Sequence, residues 1–157
     1  MVSRLPESVC TVGVFVNEAR ERVTAIAEQV GLAGLQFHGD EPADFCQGWK
    51  QKVVKAIRVR GPDAAEQAAA YDVDFILADA HVEGCFGGTG RRVALEFLKG
   101  FDRRRLILAG GLTPQNVAAA VRTVRPFAVD VASGVERAPG KKDVALMKRF
   151  IARAHAA

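Results

Sequence analysis

The chain is poor in the residues that build disulfide scaffolds and nucleic-acid surfaces: of 157 residues, three are cysteine, one is tryptophan and one is tyrosine. Cys10, Cys46 and Cys85 are far apart and odd in number, so the spacing suggests neither a Cys-x-x-Cys metal site nor a closed disulfide framework. A reducing, cytoplasmic compartment is expected. No apolar stretch approaches the about 20 residues that a membrane span requires. Met1 to Cys10 also lacks the charged-then-apolar layout of a secretory signal, so no membrane partner is expected. Charge is not concentrated either: the formal net charge is +4, and the basic groups at Arg58 to Arg60, Arg91 and Arg103 to Arg105 are spread along the chain. A nucleic-acid binder more often gathers them on one helix face with aromatics between, so nucleic acid is not expected as a partner.

What is present is a regular alternation. With 49% hydrophobic and 25% charged residues, positions 1–157 suffice for a single domain with a substantial core. Apolar runs at Val9 to Val16, Gly34 to His38, Val53 to Val59, Phe75 to Asp79, Leu106 to Ala109 and Ala128 to Ala132 read as strands covered on both faces. Amphipathic stretches at Ala19 to Val30, Pro42 to Lys50, Ala64 to Tyr71, Val93 to Lys99, Pro114 to Thr123 and Asp143 to Ala154 read as the helices between them. The sum is six βα units of an α/β chain. A closed (β/α)8 barrel takes eight units, typically ~250 residues, so the expectation is a partial TIM-barrel domain lacking its first two units.

Two glycine strings carry the functional signal: LILAGG at Leu106 to Gly111 and VDVASGVE at Val129 to Glu136. Where a parallel strand ends in glycines, backbone N–H groups of the turn and of the next helix converge, which favours a dianion without requiring lysine. Two such turns on consecutive strands fit the phosphate pocket that follows the last two strands of a TIM barrel.

The strings VGVFVN at Val12, LQFHGDE at Leu35, KAIRV at Lys55, ADAHVEGCFGGTG at Ala78, LAGGLTPQNV at Leu108 and VDVASGVERAPGKKD at Val129 together resemble phosphoribosylanthranilate isomerase. The resemblance implies a (β/α)8 barrel performing the Amadori rearrangement of N-(5-phosphoribosyl)anthranilate in tryptophan biosynthesis, an aldose–ketose isomerisation without metal or organic cofactor. That chemistry needs a general acid at the furanose oxygen and a general base for the C2 proton. By resemblance the acid falls on Asp79, and His38, Gly88 and Asp130 fall on the substrate, Asp130 buried near the sugar hydroxyls. Gly110, Gly111, Ser133 and Gly134 fall on the phosphate. Gly87 to Gly90 would close over ligand, and Lys141 and Lys142 read as surface charge.

The sequence departs from the family at the base. The family's cysteine stands in a KxCGxT string, and no such string occurs here; nor does the SPRY string, unless Ser3 to Pro6 is a degenerate remnant. Cys10 is expected on the face opposite the site, Cys46 as a small buried apolar residue, and Cys85 as an inert loop thiol. An acid without a base leaves proton transfer unassisted in the isolated chain. Two other functions therefore stand beside the enzyme: a non-catalytic phosphosugar-binding remnant, and one half of a split isomerase. An opened barrel also exposes strand edges at Val9 to Val16 and Ala128 to Ala132, which invite self-association or pairing with a missing N-terminal segment.

Overall fold

The computed structural model describes residues 5–80 and 96–157. Six parallel strands form one sheet in chain order: β1 (Val12–Phe15), β2 (Gly34–Phe37), β3 (Lys52–Arg58), β4 (Phe75–Asp79), β5 (Leu106–Ala109) and β6 (Ala128–Val129). Neighbours pair in sequence without a skipped strand, from Val12 opposite Gly34 to Leu108 opposite Val129. Sequential parallel pairing is the βα topology of a TIM barrel, where the helices cover one face of the sheet.

The register sorts side chains into two faces. Val54, Ala56, Leu77 and Ala109 form a small cluster with Phe75 and Ile107 on one side. The opposite side carries the main core, in which Phe15, Leu35, Phe37, Ile57, Ile76, Leu106 and Leu108 meet Val23 and Ala27 of α1 (Arg20–Val30). Further helices are α2 (Ala64–Ala69), α3 (Val117–Val124) and α4 (Val144–His155). Asp143 caps α4 by accepting the Leu146 N–H at 2.9 Å, as its position ahead of an apolar run predicts. Among the described residues no helix is long and apolar enough to cross a membrane.

Several expected boundaries move. The first strand is β1 rather than Val9 to Val16, because the Val9 N–H turns back to the Pro6 carbonyl. The last is the two-residue β6 rather than Ala128 to Ala132, because Ala132 (φ −109°, ψ −86°) has left extended backbone. The helix expected over Pro42 to Lys50 does not form; the segment is a succession of turns ending in Gly48 at φ +72°. A short hairpin of β7 (Glu136–Ala138) and β8 (Lys141–Lys142) was not anticipated. Of the helix expected over Val93 to Lys99, positions 93–95 lie outside the described residues; Glu96 is helical and Phe97 to Lys99 form a turn.

Among the described residues β1 and β6 each pair on one side only, so both are edges of this sheet. Val12 and Val14 of β1, with Val16 just past its end, are 43%, 60% and 62% exposed. Such exposure of alternate valines marks a strand face with no partner layer.

Candidate active site

The chemistry-bearing side chains gather at the C-terminal ends of the strands. Register places Gln36, Val54 and Phe75 on one face, then Arg58 opposite Asp79 further along it. His38 follows β2 directly, its N–H held by the Phe15 carbonyl of β1 at 2.8 Å. Its Nε2 lies 3.9 Å from Oδ2 of Asp79, the last residue of β4, and both side chains are partly exposed. Asp130, just past β6, completes the group. Burial pushes its carboxyl above the ordinary range; His38 pulls it down and the Asp79 charge pushes it further up. Asp130 is nonetheless exposed rather than enclosed as expected.

The two glycine turns stand beside this group and touch one another. Gly110 and Gly111 leave β5 at φ +94° and +62°, values that glycine adopts without Cβ strain. Asn116 fixes that turn from within: its Nδ2 donates to the Gly111 carbonyl at 3.0 Å, and its Oδ1 accepts the Thr113 N–H at 2.8 Å. After β6, Ser133 and Gly134 open a 3-10 turn over Ser133–Val135. A Cβ on Gly134 would overlap the Leu112 carbonyl, so this second bend is seated directly on the first. Lys142 is more than surface charge: its Nζ donates to the Ala132 carbonyl at 2.7 Å and pairs with Glu136 at 2.8 Å, tying the β7–β8 hairpin to the turn.

The loop that follows His38 is built on a buried ion pair. Lys55 of β3 and Glu41 are 2% and 3% exposed, with Nζ 2.8 Å from Oε2. Nζ also donates to the Gly39 carbonyl at 2.7 Å. The Glu41 carboxylate accepts the Gly39 N–H at 3.0 Å and the Asn17 N–H at 2.7 Å. Burial alone would raise the Glu41 pKa, but the Lys55 ammonium and the Asn17 N–H outweigh it and hold the carboxyl below its ordinary range. Gly39 has no room for a side chain, since Asn17 occupies the space a Cβ would take. Sequence reasoning passed over this pair, although a lysine inside the apolar run Val53 to Val59 was a usable signal.

The cysteines lie away from the group. Cys10 is exposed ahead of β1, and Cys46 is buried as expected but in a turn rather than a helix. Burial lifts the Cys46 thiol to about 11, which leaves it uncharged and unreactive at neutral pH. Cys85 and Gly87, Gly88, Thr89 and Gly90 lie outside the described residues. A cavity of about 420 Å³ opens beside the site, with His38, Asp40, Arg58, Arg60 and Tyr71 on its walls.

The family model for N-(5'phosphoribosyl)anthranilate (PRA) isomerase matches residues 2–153. The N-(5'-phosphoribosyl)anthranilate isomerase of Trichlorobacter lovleyi is 45% identical over 156 residues, which are 98% of this chain and 76% of that relative. The one from Pelobacter propionicus is 43% identical over 152 residues, 96% of this chain and 73% of its own length. The crystal structure of the Thermotoga maritima phosphoribosyl anthranilate isomerase superposes with a TM-score of 0.84 at 40% identity, covering 99% of this chain and 78% of the other. A second solved isomerase, in complex with reduced 1-(o-carboxyphenylamino)-1-deoxyribulose 5-phosphate, gives 0.84 at 39% identity, with 99% and 76% covered. With parallel strands in the same barrel topology and matches of this identity over nearly its whole length, the chain belongs to the N-(5'-phosphoribosyl)anthranilate isomerase family, the aldose–ketose isomerases of tryptophan biosynthesis.

Proposed function

We propose that Asp79 is the general acid that protonates the furanose oxygen of N-(5-phosphoribosyl)anthranilate, opening the sugar ring. Gly110, Gly111, Ser133 and Gly134 hold the terminal phosphate, while His38 and Asp130 face the sugar between acid and phosphate. Gly88 is assigned to substrate from the GGTG string alone. The observation that carries the reading is the approach of His38 Nε2 to Asp79 at 3.9 Å, beside two glycine bends that touch. A dianion placed between those bends meets the backbone amides of the turns, and a sugar extended from it reaches the strand ends where Asp79 stands.

Titration with the reduced product analogue tests the phosphate half. Gly134→Ala forces the second bend off the Leu112 carbonyl, an overpacking cost of about 1–3 kcal/mol. If that displacement falls on the amides, affinity drops roughly tenfold or more, since each ~1.4 kcal/mol is tenfold. Unchanged affinity in a folded Gly134→Ala variant removes this bend from the phosphate site.

The chain holds no KxCGxT string, and its described cysteines lie away from the group, so no base is assigned within it. We infer that the six units correspond to the last six of the family's eight, and that base-bearing units close against the edges of β1 and β6. The exposed row Val12, Val14 and Val16 supports this, as do curated relatives of which the chain spans 73% to 76%. Left uncovered, these edges pair with another copy. Sedimentation velocity over a concentration series should then show association, and Val14→Lys should suppress it. A parent chain that stays monomeric throughout contradicts this part of the reading.

A further inference from the structure

We propose that Gln36 is a positioning residue that fixes the tautomer of His38, holding the proton on Nε2 so that a hydrogen-bond donor faces Asp79. The inference rests on the assignment of Asp79 as the acid and adds a residue that the resemblance did not single out. Gln36 lies in β2 and His38 one residue past its end, two positions on, so the extended backbone turns both side chains the same way. The Gln36 Nε2 lies 3.0 Å from His38 Nδ1. An amide NH2 group donates and does not accept, so the ring nitrogen it meets is the bare one. In a neutral imidazole the remaining nitrogen then carries the proton, and that nitrogen is the one 3.9 Å from Asp79 Oδ2.

The backbone around the ring is fixed well enough for such a choice to persist. The His38 N–H is bound to Phe15, and the next residue is gripped at both ends: the Gly39 N–H by Glu41 and the Gly39 carbonyl by Lys55. The imidazole thus projects from a clamped segment, and Gln36 selects which of its nitrogens is the donor.

The consequence follows from charge. When Asp79 passes its proton to the sugar oxygen, it becomes a carboxylate. At 3.9 Å the separation is too long for a direct hydrogen bond but short enough for Coulombic attraction. An Nε2–H dipole aimed at that carboxylate stabilises it. The opposite tautomer would aim a nitrogen lone pair at it and oppose the transfer. Gln36 therefore acts on the acid through His38.

The test reads the proton directly. In 15N-labelled protein at about pH 8.5, some two units above the ordinary histidine value, ring shifts and two-bond couplings identify the protonated nitrogen. His38 is assigned among the three histidines by its loss in His38→Asn. The parent chain should show Nε2–H. Gln36→Glu replaces the donor with a carboxylate that accepts from Nδ1–H, and should invert the tautomer. Gln36→Met removes the selection, and should leave a mixture closer to that of a solvated histidine. Where turnover is measured, Gln36→Glu should lower kcat roughly 10- to 100-fold, the scale of positioning losses, with KM within about twofold.

An Nδ1–H tautomer in the parent chain overturns the proposal, as does an Nε2–H tautomer that survives Gln36→Glu. Either result leaves the acid assignment of Asp79 standing. Undiminished turnover in Asp79→Asn would remove that assignment while the tautomer measurement kept its meaning.

Discussion

In this chain completed by the base-bearing units proposed above, replacing Asp79 with Asn is expected to lower isomerase turnover by about 10²- to 10⁴-fold, the usual contribution of one positioned proton donor. Affinity for the reduced product analogue should change little, because asparagine keeps the size and most of the polarity of the side chain. The Asp79 carbonyl also continues to accept the Val59 N–H at 2.9 Å. What is lost is the acidic proton: an amide cannot deliver one to the furanose oxygen, and ring opening then depends on water. Steady-state kcat and KM on parent and variant separate these terms, since a defect confined to the transition state lowers kcat and leaves KM. The neighbouring carboxylate gives a second readout. Burial raises the Asp130 pKa most, and the Asp79 charge adds to it, so removing that charge should bring Asp130 back toward the ordinary aspartate range. Turnover preserved in Asp79→Asn would transfer the acid role to another group.

The sheet was legible because parallel strands covered on both faces read as unbroken apolar runs. Phe75 to Asp79 and Leu106 to Ala109 coincide with β4 and β5 to the residue. Strand ends put His38 and Asp79 at the barrel mouth, where a polar residue that closes such a run stands, and the family resemblance supplied the roles expected of them. The failed helix over Pro42 to Lys50 shows what periodicity leaves out. Phe45 and Trp49 are spaced as a helical pair, but a distant arginine claims them. The Arg20 guanidinium lies 4.1 Å over the Trp49 ring and donates to the carbonyls of Phe45 and Gln47 at 3.1 and 2.7 Å. Those carbonyls are thus capped by a residue 25 and 27 positions away in the sequence, an interaction no local pattern contains. The pairing of Lys55 with Glu41 was hidden for a related reason. Glu41 reads locally as surface charge, and Lys55, though conspicuous inside its apolar run, meets its partner only through the pairing of β2 with β3.

Lys55→Met should cost about 3–5 kcal/mol, because breaking a buried pair strands the remaining charge. Against a typical total of about 5–15 kcal/mol, that is enough to shift a urea midpoint far down or to unfold the chain near physiological temperature. Methionine fills most of the volume vacated by the lysine stem, so the loss is electrostatic rather than a cavity. Glu41, at 3% exposure, keeps the N–H donors of Asn17 and Gly39 but loses its cation. The double variant Lys55→Met, Glu41→Gln should recover part of the stability, since no uncompensated charge remains buried.

The pH dependence separates this account from a packing defect. In the parent chain Glu41 titrates below its ordinary value of 4.5. Its contribution is therefore complete above that value and is lost as pH falls through the lower folded one. In Lys55→Met the sign reverses: burial without the ammonium favours the protonated acid, and stability should rise as pH falls through the raised folded value toward 4.5. A stability profile parallel to the parent's across this range would mean that Lys55 holds the loop by packing alone. The same loss reaches the site, because Gly39 is released at its carbonyl and His38 is the residue before it. A stabilised background that keeps Lys55→Met folded should therefore still show a reduced kcat.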